Sequence, residues 1–406
     1  MNSSIRRVWI NYINLAAGQI MNYVYPIALL YLLVRILGLE TYGLLVFSMA
    51  VVSFFKIVCG YGFDLTATKA IAESDGSDLS KIFSEVLITK IVLFFFGWIV
   101  LALLSFFVEK ISDNFLLISL YYSLIVIDIL IPVYVYHGMQ KMMGLTLVTV
   151  CAKFITLVVI YFCVGDSSDY LLVPLIELLV GMVGAVGLFV YGVRVFDIKI
   201  YIPSIRSVFG QIKDGFFVFI SKFSVALYTS LNVVYLGFSV GEYSVGIYSV
   251  AEKIYMALRG LLNPLIQAFF PYFSRLHCID RTLFDRQVWV LGLLCALTLS
   301  FFAALSAYFL QPALEFVGFV SDENVYGILT VFLYALPFAV GGYYSSILII
   351  KGRAGLLFKI TVLTLLANIC LLPALVTVWG LKGAAITFLL VQVFHFALQF
   401  VYAVKR

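Results

Sequence analysis

Residues 244–276 read SVGIYSVAEKIYMALRGLLNPLIQAFFPYFSRL, an apolar run with Glu252, Lys253 and Arg259 written into its middle. Runs of this kind recur along all 406 residues, of which 64% are hydrophobic and 12% charged, and the mean hydropathy is +1.11. Soluble domains are nearer half apolar. Stretches of roughly 18 or more apolar residues are what a helix needs to cross hydrocarbon. The chain therefore reads as an all-α polytopic membrane protein. A charge at the bilayer centre costs at least ~2.5–3.5 kcal/mol on insertion scales, so those three residues need a reason to be there.

Hydropathy and turn residues predict about twelve spans, over 9–33, 42–63, 82–108, 115–136, 143–164, 170–193, 214–238, 245–271, 287–310, 325–350, 356–378 and 383–403. The N-terminal run continues to about Leu33 without an AxA-like cleavage site, so it reads as a retained helix and not a signal peptide. One set of connections holds most of the lysines and arginines, from Arg6 and Arg7 through Lys69, Lys141, Arg194, Arg281 and Lys351 to Arg406. The opposite set holds only Arg35, Lys110 and Lys382. The positive-inside rule then puts both termini in the cytoplasm. The connections are too short for an extramembrane catalytic domain. The net charge of +5 sits in these loops and does not point to nucleic acid. The six cysteines are scattered without metal or disulfide spacing, and His137, His277 and His395 are isolated. No metal, cofactor or nucleotide-binding loop is expected.

Sliding the sequence on itself by 203 residues, half its length, lays Gly38 on Gly241, Gly43 on Gly246, Lys56 on Arg259, Asp64 on Gln267, Gln19 on Lys222 and Tyr25 on Tyr228. An even number of spans per half makes this a parallel repeat about an axis along the membrane normal. The expected architecture is two six-helix lobes related by a pseudo-two-fold axis, residues 1–200 and 201–406.

In the opening run, Glu252, Arg259, Asn263 and Gln267 are spaced to share one helical face, with Pro264 offering a kink. Asn11, Asn14, Asn22 and Tyr25 form a second polar stripe in the first span. Lys90, Lys153 and Lys359 sit near span ends, where a lysine can snorkel to the interface. Lys56, Lys222 and Arg259 lie deeper and read as lining a lumen. With Lys253, Asn22, Asn263 and Gln267 they form the candidate substrate-binding set. Asp128, Glu177 and Glu252 are the candidate ion-coupling acids. Deep cations outnumber these acids, which favours an anion, and arginine offers a fork suited to phosphate oxygens.

Several segments carry a resemblance: YLLVRILGLETYGLLVFSMAVV (31–52), YGFDLTATKAIA (61–72), QIKDGFFVFISKFSVALYTSLNVVYLGFSVGEYSVGIYSVAEKI (211–254), NPLIQAFFPYFSRL (263–276) and ANICLLPALVTVWGLKGAAITFLL (367–390). Together they resemble the O-antigen (Wzx-type) flippases of the multidrug/oligosaccharidyl-lipid/polysaccharide exporter superfamily. The resemblance implies two six-helix lobes with alternating access and a cationic central cavity. It implies as cargo an oligosaccharide on undecaprenyl diphosphate, moved from the cytoplasmic to the periplasmic leaflet of the inner membrane. Membrane lipids, an O-antigen polymerase and a chain-length regulator are the partners it suggests; no enzymatic activity and no cofactor are implied. The alternatives are a flippase for another polyprenyl-linked glycan, a drug/cation antiporter of the same superfamily and, more remotely, an O-antigen polymerase.

Overall fold

The computed structural model describes the backbone of residues 3–74, 78–317 and 323–404. The side chains of 3–23, 225, 228, 229, 267, 268, 271, 313–317, 323 and 354 are outside that description, and the candidates Asn22 and Gln267 therefore lie outside the described residues. Every regular element among the described residues is helical.

The first helices in chain order are α1 (Ser3–Gly60), α2 (Phe63–Glu73), α3 (Leu79–Phe107), α4 (Glu109–Asp113), α5 (Phe115–Ser123), α6 (Ile125–Leu130), α7 (Val133–Gly138), α8 (Met143–Cys163) and α9 (Leu172–Val195). Then come α10 (Ile205–Ser239), α11 (Glu242–Gly260), α12 (Asn263–Ile279), α13 (Arg281–Val317), α14 (Glu323–Ala335), α15 (Gly341–Ile350), α16 (Ala354–Trp379) and α17 (Leu381–Val404). Short 3₁₀ turns cover Ser167–Leu171 and Leu336–Val340.

Nine described segments are long and apolar enough to cross a membrane, and the chain is a multi-pass membrane protein. The first of them, Val24–Glu73, contains the junction between two expected spans. The expected spans over 214–238 and 245–271 fall on α10 and on α11–α12, outside the nine. Twelve is thus the count from sequence, and composition alone does not reproduce it.

Where the sequence suggested unbroken spans, three are interrupted. The expected 115–136 span is three short helices, broken at Leu124 and again at Ile131 and Pro132, with α7 starting after the proline. The 325–350 span passes through the 3₁₀ turn at Pro337. The 245–271 span breaks between Gly260 and Asn263, one residue ahead of Pro264. Except at Leu124, a proline that cannot donate to the preceding turn lies at or next to each break. The last break also corrects the single polar face read from residues 252–267, because Glu252 and Arg259 are on α11 while Asn263 begins α12.

Chain contacts divide the protein into two compact units, Met1–Thr41 with Leu45–Ser230, and Tyr42–Leu44 with Leu231–Arg406. The division falls within α10. In the first unit, Tyr136, Leu145 and Leu188 form a buried cluster, and the Tyr136 hydroxyl donates to the Leu188 carbonyl at 2.6 Å. In the second, Phe332 stacks on Phe388 with ring centres 4.3 Å apart, and Tyr248 and Tyr255 pack edge-on against the pair. Such aromatic contacts add ~0.5–1.5 kcal/mol each beyond their buried area.

The repeat is visible in the backbone. Gly38 has φ 80° and ψ 169°, and its counterpart Gly241 has φ 116° and ψ 172°. Both values lie in a region essentially closed to side-chain-bearing residues. The same disallowed bend thus separates the helices at equivalent places in GLETYG (38–43) and GEYSVG (241–246).

The connection after α9 is pinned within the first unit by the start of α3. Ser80 Oγ accepts the Lys199 N–H at 3.0 Å and Ser84 Oγ accepts the Tyr201 N–H at 3.2 Å. The buried Glu85 carboxylate accepts from the Ser207 hydroxyl and from Gln211 Nε2 at 2.8 Å. Hydrogen bonds to a charged group contribute about 1.5–3 kcal/mol each. Glu85→Ala is therefore expected to free this segment, raising the rate of limited proteolysis between residues 196 and 204 at least severalfold, whereas Glu85→Gln retains most of the protection.

Candidate functional site

The interior of the first unit is built around the break at Pro132. In a regular helix the Asp128 carbonyl would accept from the N–H four residues on, but that residue is proline. Lys90 Nζ, on α3, fills the gap by donating to the Asp128 carbonyl at 3.1 Å, and it also lies 5.5 Å from the Tyr134 ring centre. Lys90 is 9% exposed, so the expectation that it snorkels is corrected: its ammonium turns inward to a carbonyl that the proline leaves vacant.

The Asp128 side chain meets a second cation. Its Oδ2 lies 2.7 Å from Lys56 Nζ, and the two side chains remain 58% and 48% exposed. The pair is neutralised but reachable. Lys153 Nζ sits 5.6 Å from the Tyr25 ring centre, and the Tyr25 hydroxyl donates to Glu177 Oε1 at 3.2 Å. Lys56 is within electrostatic reach of both Lys90 and Lys153, and Asp64 and Asp128 are within reach of Lys90.

Asp64, in the first turn of α2, is a carboxylate the sequence reading did not place among the deep acids. It binds Lys222 of α10 through both oxygens. The approach is prepared by small and flat residues. Tyr61 stacks on Phe219 at 4.6 Å with planes 3° apart, and a side chain at Gly62 would come within 2.5 Å of Val218. The helix N-terminus also favours an acid at Asp64. The signal for Asp64 was present in the sequence as the partner of Gln267 in the repeat, a polar position matching a polar position.

The structure thus brings together Lys56 with Asp128, Lys222 with Asp64, and Tyr25 with Glu177, all in the first unit. Lysines 56, 90, 153 and 222 face Asp64, Asp128 and Glu177 there, so the excess of cations expected from sequence is much reduced by Asp64.

In the second unit, Lys253 Nζ donates to the Tyr42 hydroxyl at 2.7 Å and lies 5.1 Å from the Tyr42 ring centre. That hydroxyl is also 3.3 Å from Ser249 Oγ. Glu252 is half-buried beside Lys253 in sequence and within its electrostatic reach. Arg259 is half-buried and within electrostatic reach of His395. His395 is part of a polar chain, 2.9 Å from Thr364 Oγ1 and 2.8 Å from Gln399 Nε2, and Gln399 reaches Ser345 Oγ at 2.6 Å. A second buried chain links Asn368 to Asn232 at 2.9 Å and Asn232 to the Tyr248 hydroxyl at 2.7 Å. Asn263 is exposed at the start of α12 and Lys359 is exposed on α16. The two polar chains were not anticipated, since isolated Thr, Asn, Gln and Ser in apolar runs give no spacing signal.

Residues 8–277 match the family described as polysaccharide biosynthesis protein. The chain belongs to that family. It is 30% identical over 404 residues to a protein of Escherichia coli (strain K12) described as "Putative O-antigen transporter", covering 92% of this chain and 95% of that one. A protein of the same description from Shigella dysenteriae is 27% identical over 385 residues, covering 92% and 94%. Among solved structures, the lipid II flippase MurJ in an inward closed conformation superposes with a TM-score of 0.72 at 16% identity, covering 98% of this chain and 87% of that one. An inward-facing multidrug resistance MATE family transporter gives a TM-score of 0.72 at 14% identity, covering 97% of each. At those identities the likeness concerns the fold alone. Like the other members of its family matched here, the chain is a transporter and not an enzyme.

Proposed function

We propose that the protein carries an oligosaccharide linked to a polyprenyl diphosphate, an O-antigen repeat unit, from the cytoplasmic to the periplasmic leaflet of the bacterial inner membrane by alternating access. Both termini are then cytoplasmic, as the distribution of Lys and Arg favours. A sugar headgroup crossing bare lipid forfeits hydrogen bonds worth several kcal/mol per polar group, so it needs a polar path while its tail stays in hydrocarbon.

The observation that carries this reading is the accessible Lys56–Asp128 pair, with 58% and 48% of its side chains open. Charges left half open at membrane depth need water or a ligand beside them. A diphosphate can displace Asp128 from Lys56, and the freed carboxylate can then take up a proton. Asp128 is accordingly the favoured coupling acid, ahead of Glu177, whose oxygen is engaged by Tyr25, and Glu252. Lys222, Lys253, Arg259, Asn22, Asn263 and Gln267 complete the proposed cargo contacts. Outward movement of negative charge runs with a cytoplasm-negative potential, worth ~2.3 kcal/mol per charge per 100 mV.

Deletion in a native host tests the proposal. The expected outcome is loss of surface polysaccharide, with lipid-linked units retained in the cytoplasmic leaflet. Units that reach the periplasm and remain unpolymerised overturn it. The carboxylates Asp64 and Asp128 favour a second reading, a drug/cation antiporter. Under that reading Arg259→Glu leaves transport of an organic cation intact, whereas an anion carrier loses export.

A further inference from the structure

We infer that His395, with Gln399, forms a proton-binding site in the second unit whose occupancy is tied to the charge beside it on Arg259. The site lies where α15, α16 and α17 pack together. It adds to the acids named above, and its link to an anion rests on the reading of Arg259 as a cargo contact.

The hydrogen bonds of this chain run in one direction. The Thr364 hydroxyl donates to the Ile360 carbonyl at 2.8 Å, so towards His395 Nδ1, at 2.9 Å, it accepts, and the ring proton sits on Nδ1. His395 Nε2 is then the bare nitrogen of a neutral ring. It accepts from Gln399 Nε2 at 2.8 Å, and the same amide nitrogen donates to Ser345 Oγ at 2.6 Å. Ser345 passes its own hydrogen to the Gly341 carbonyl at 3.2 Å. Both amide hydrogens of Gln399 are thereby used. Its Oε1, in a residue only 1% exposed, is buried with no hydrogen-bond partner. That oxygen occupies the room left by Gly341, where a Cβ would stand 2.4 Å from it. A buried acceptor left unbonded is costly, and it points to a second arrangement in which the oxygen is used.

Turning the Gln399 amide over supplies it. Oε1 then accepts from a protonated Nε2, and from Ser345 once that hydroxyl leaves the Gly341 carbonyl, while Nδ1–H keeps its bond to Thr364. Both N–H groups of an imidazolium are thus satisfied by residues already in place. The proton is taken from water, and no bond within the protein is broken but the hydrogen bonds exchanged. Arg259 of α11 opposes the step, being a cation within electrostatic reach of the ring. Its Nη2 lies 3.9 Å from the Cβ position of Gly342, the neighbour of the glycine beside Gln399. On the same helix Lys253 donates to Tyr42, and Glu252 is two turns from Arg259. On α15 the Tyr343 hydroxyl donates to the Val288 carbonyl at 3.2 Å and the Tyr344 ring packs on Phe396. Lys359 of α16 and Tyr326 and Tyr334 of α14 are exposed, and the turn Leu336–Val340 carries no titratable group. An anion seated on Arg259 offsets its charge, so anion and proton favour each other's binding.

Nitrogen NMR of the purified full-length chain, labelled at histidine, tests the inference without any cargo. With His137→Gln and His277→Gln in place, His395 is the single histidine and its ring signals are unambiguous. The signals missing from His395→Asn identify the same ring in the unsubstituted chain. The neutral ring is expected to carry its proton on Nδ1, and acidification to charge it while the protein stays folded. At the pH where half of the rings are charged, Arg259→Gln raises the ratio of charged to neutral rings about tenfold, the effect of removing one nearby like charge. Gln399→Met, which keeps the length and offers no carbonyl, lowers it about tenfold. Millimolar inorganic pyrophosphate raises the ratio in the parent and leaves that of Arg259→Gln unchanged. A neutral ring protonated on Nε2, a ring that stays neutral until the protein unfolds, or a ratio unmoved by either substitution overturns the inference. If both substitutions act and pyrophosphate does not, the proton site stands and the assignment of Arg259 to a cargo phosphate falls.

Discussion

Lys56→Ala is expected to reduce surface polysaccharide at least about tenfold, an effect equivalent to ~1.4 kcal/mol or more on the export step. The substitution leaves the Asp128 carboxylate without its partner at 2.7 Å, while its carbonyl stays tied to Lys90. An unpaired acid at membrane depth costs about 2.5–3.5 kcal/mol on insertion scales. Some loss of folded protein is therefore expected as well, and the two effects must be separated. The exchange variant, Lys56→Asp combined with Asp128→Lys, does this because it rebuilds the pair with the cation on the other helix. Protein level should return to that of the parent while export stays below about a tenth of it, since a cargo phosphate would now meet a carboxylate where it needs an ammonium. If the exchange restores full export, the lysine serves only to balance Asp128 and the proposed contact with cargo is wrong. Lys56→Arg keeps both charge and pairing and should retain most export.

A comparable loss is expected from Gly43→Leu, for a steric reason. A Cβ at Gly43 would stand 1.8 Å from the Glu242 carbonyl oxygen, 2.7 Å from its carbon and 2.8 Å from the Gly246 nitrogen. All three are backbone atoms, so no side chain can swing aside. Overpacking a tight site commonly costs about 1–3 kcal/mol, and a clash with two turns of fixed backbone belongs at or above the top of that range. The thermal midpoint of the purified protein should fall clearly, with a smaller fall for Gly43→Ala. Gly60→Ala is the matched control. Nothing lies within 4 Å of its Cβ position, so the usual helix preference for alanine applies and the midpoint should hold or rise. A Gly43→Leu protein as stable as its parent would show that these backbones do not meet as described.

The helical class was legible in the sequence because every span must be apolar along its length, a signal that survives without any knowledge of packing. The repeat was legible at Gly38 and Gly241 for a similar reason: a backbone region closed to other residues enforces glycine in both halves. The interruptions were only half legible. Pro132, Pro264 and Pro337 were visible, but where a kink becomes a full break depends on which neighbours take over the released carbonyls.

The site was less legible still. Lys56, Lys222 and Asp128 could be chosen because they interrupt apolar runs. Their partners could not be chosen, because Asp64 lies 158 residues from Lys222 and Asp128 lies on a different helix from Lys56. Depth along a helix also misjudged Lys90. Its position near one end suggested a route to water, whereas the carbonyl it serves is set by a proline in another helix.

That last arrangement ties two distant positions into one evolutionary unit. Pro132 contributes by what it lacks: with any other residue there, an amide hydrogen would be available to reclaim the Asp128 carbonyl and strand the Lys90 ammonium in a dry interior. Replacing the lysine first would instead leave the carbonyl bare. Neither residue can drift alone without loss, so lineages that have abandoned one should have abandoned the other, and with them the bend that presents Asp128 to Lys56.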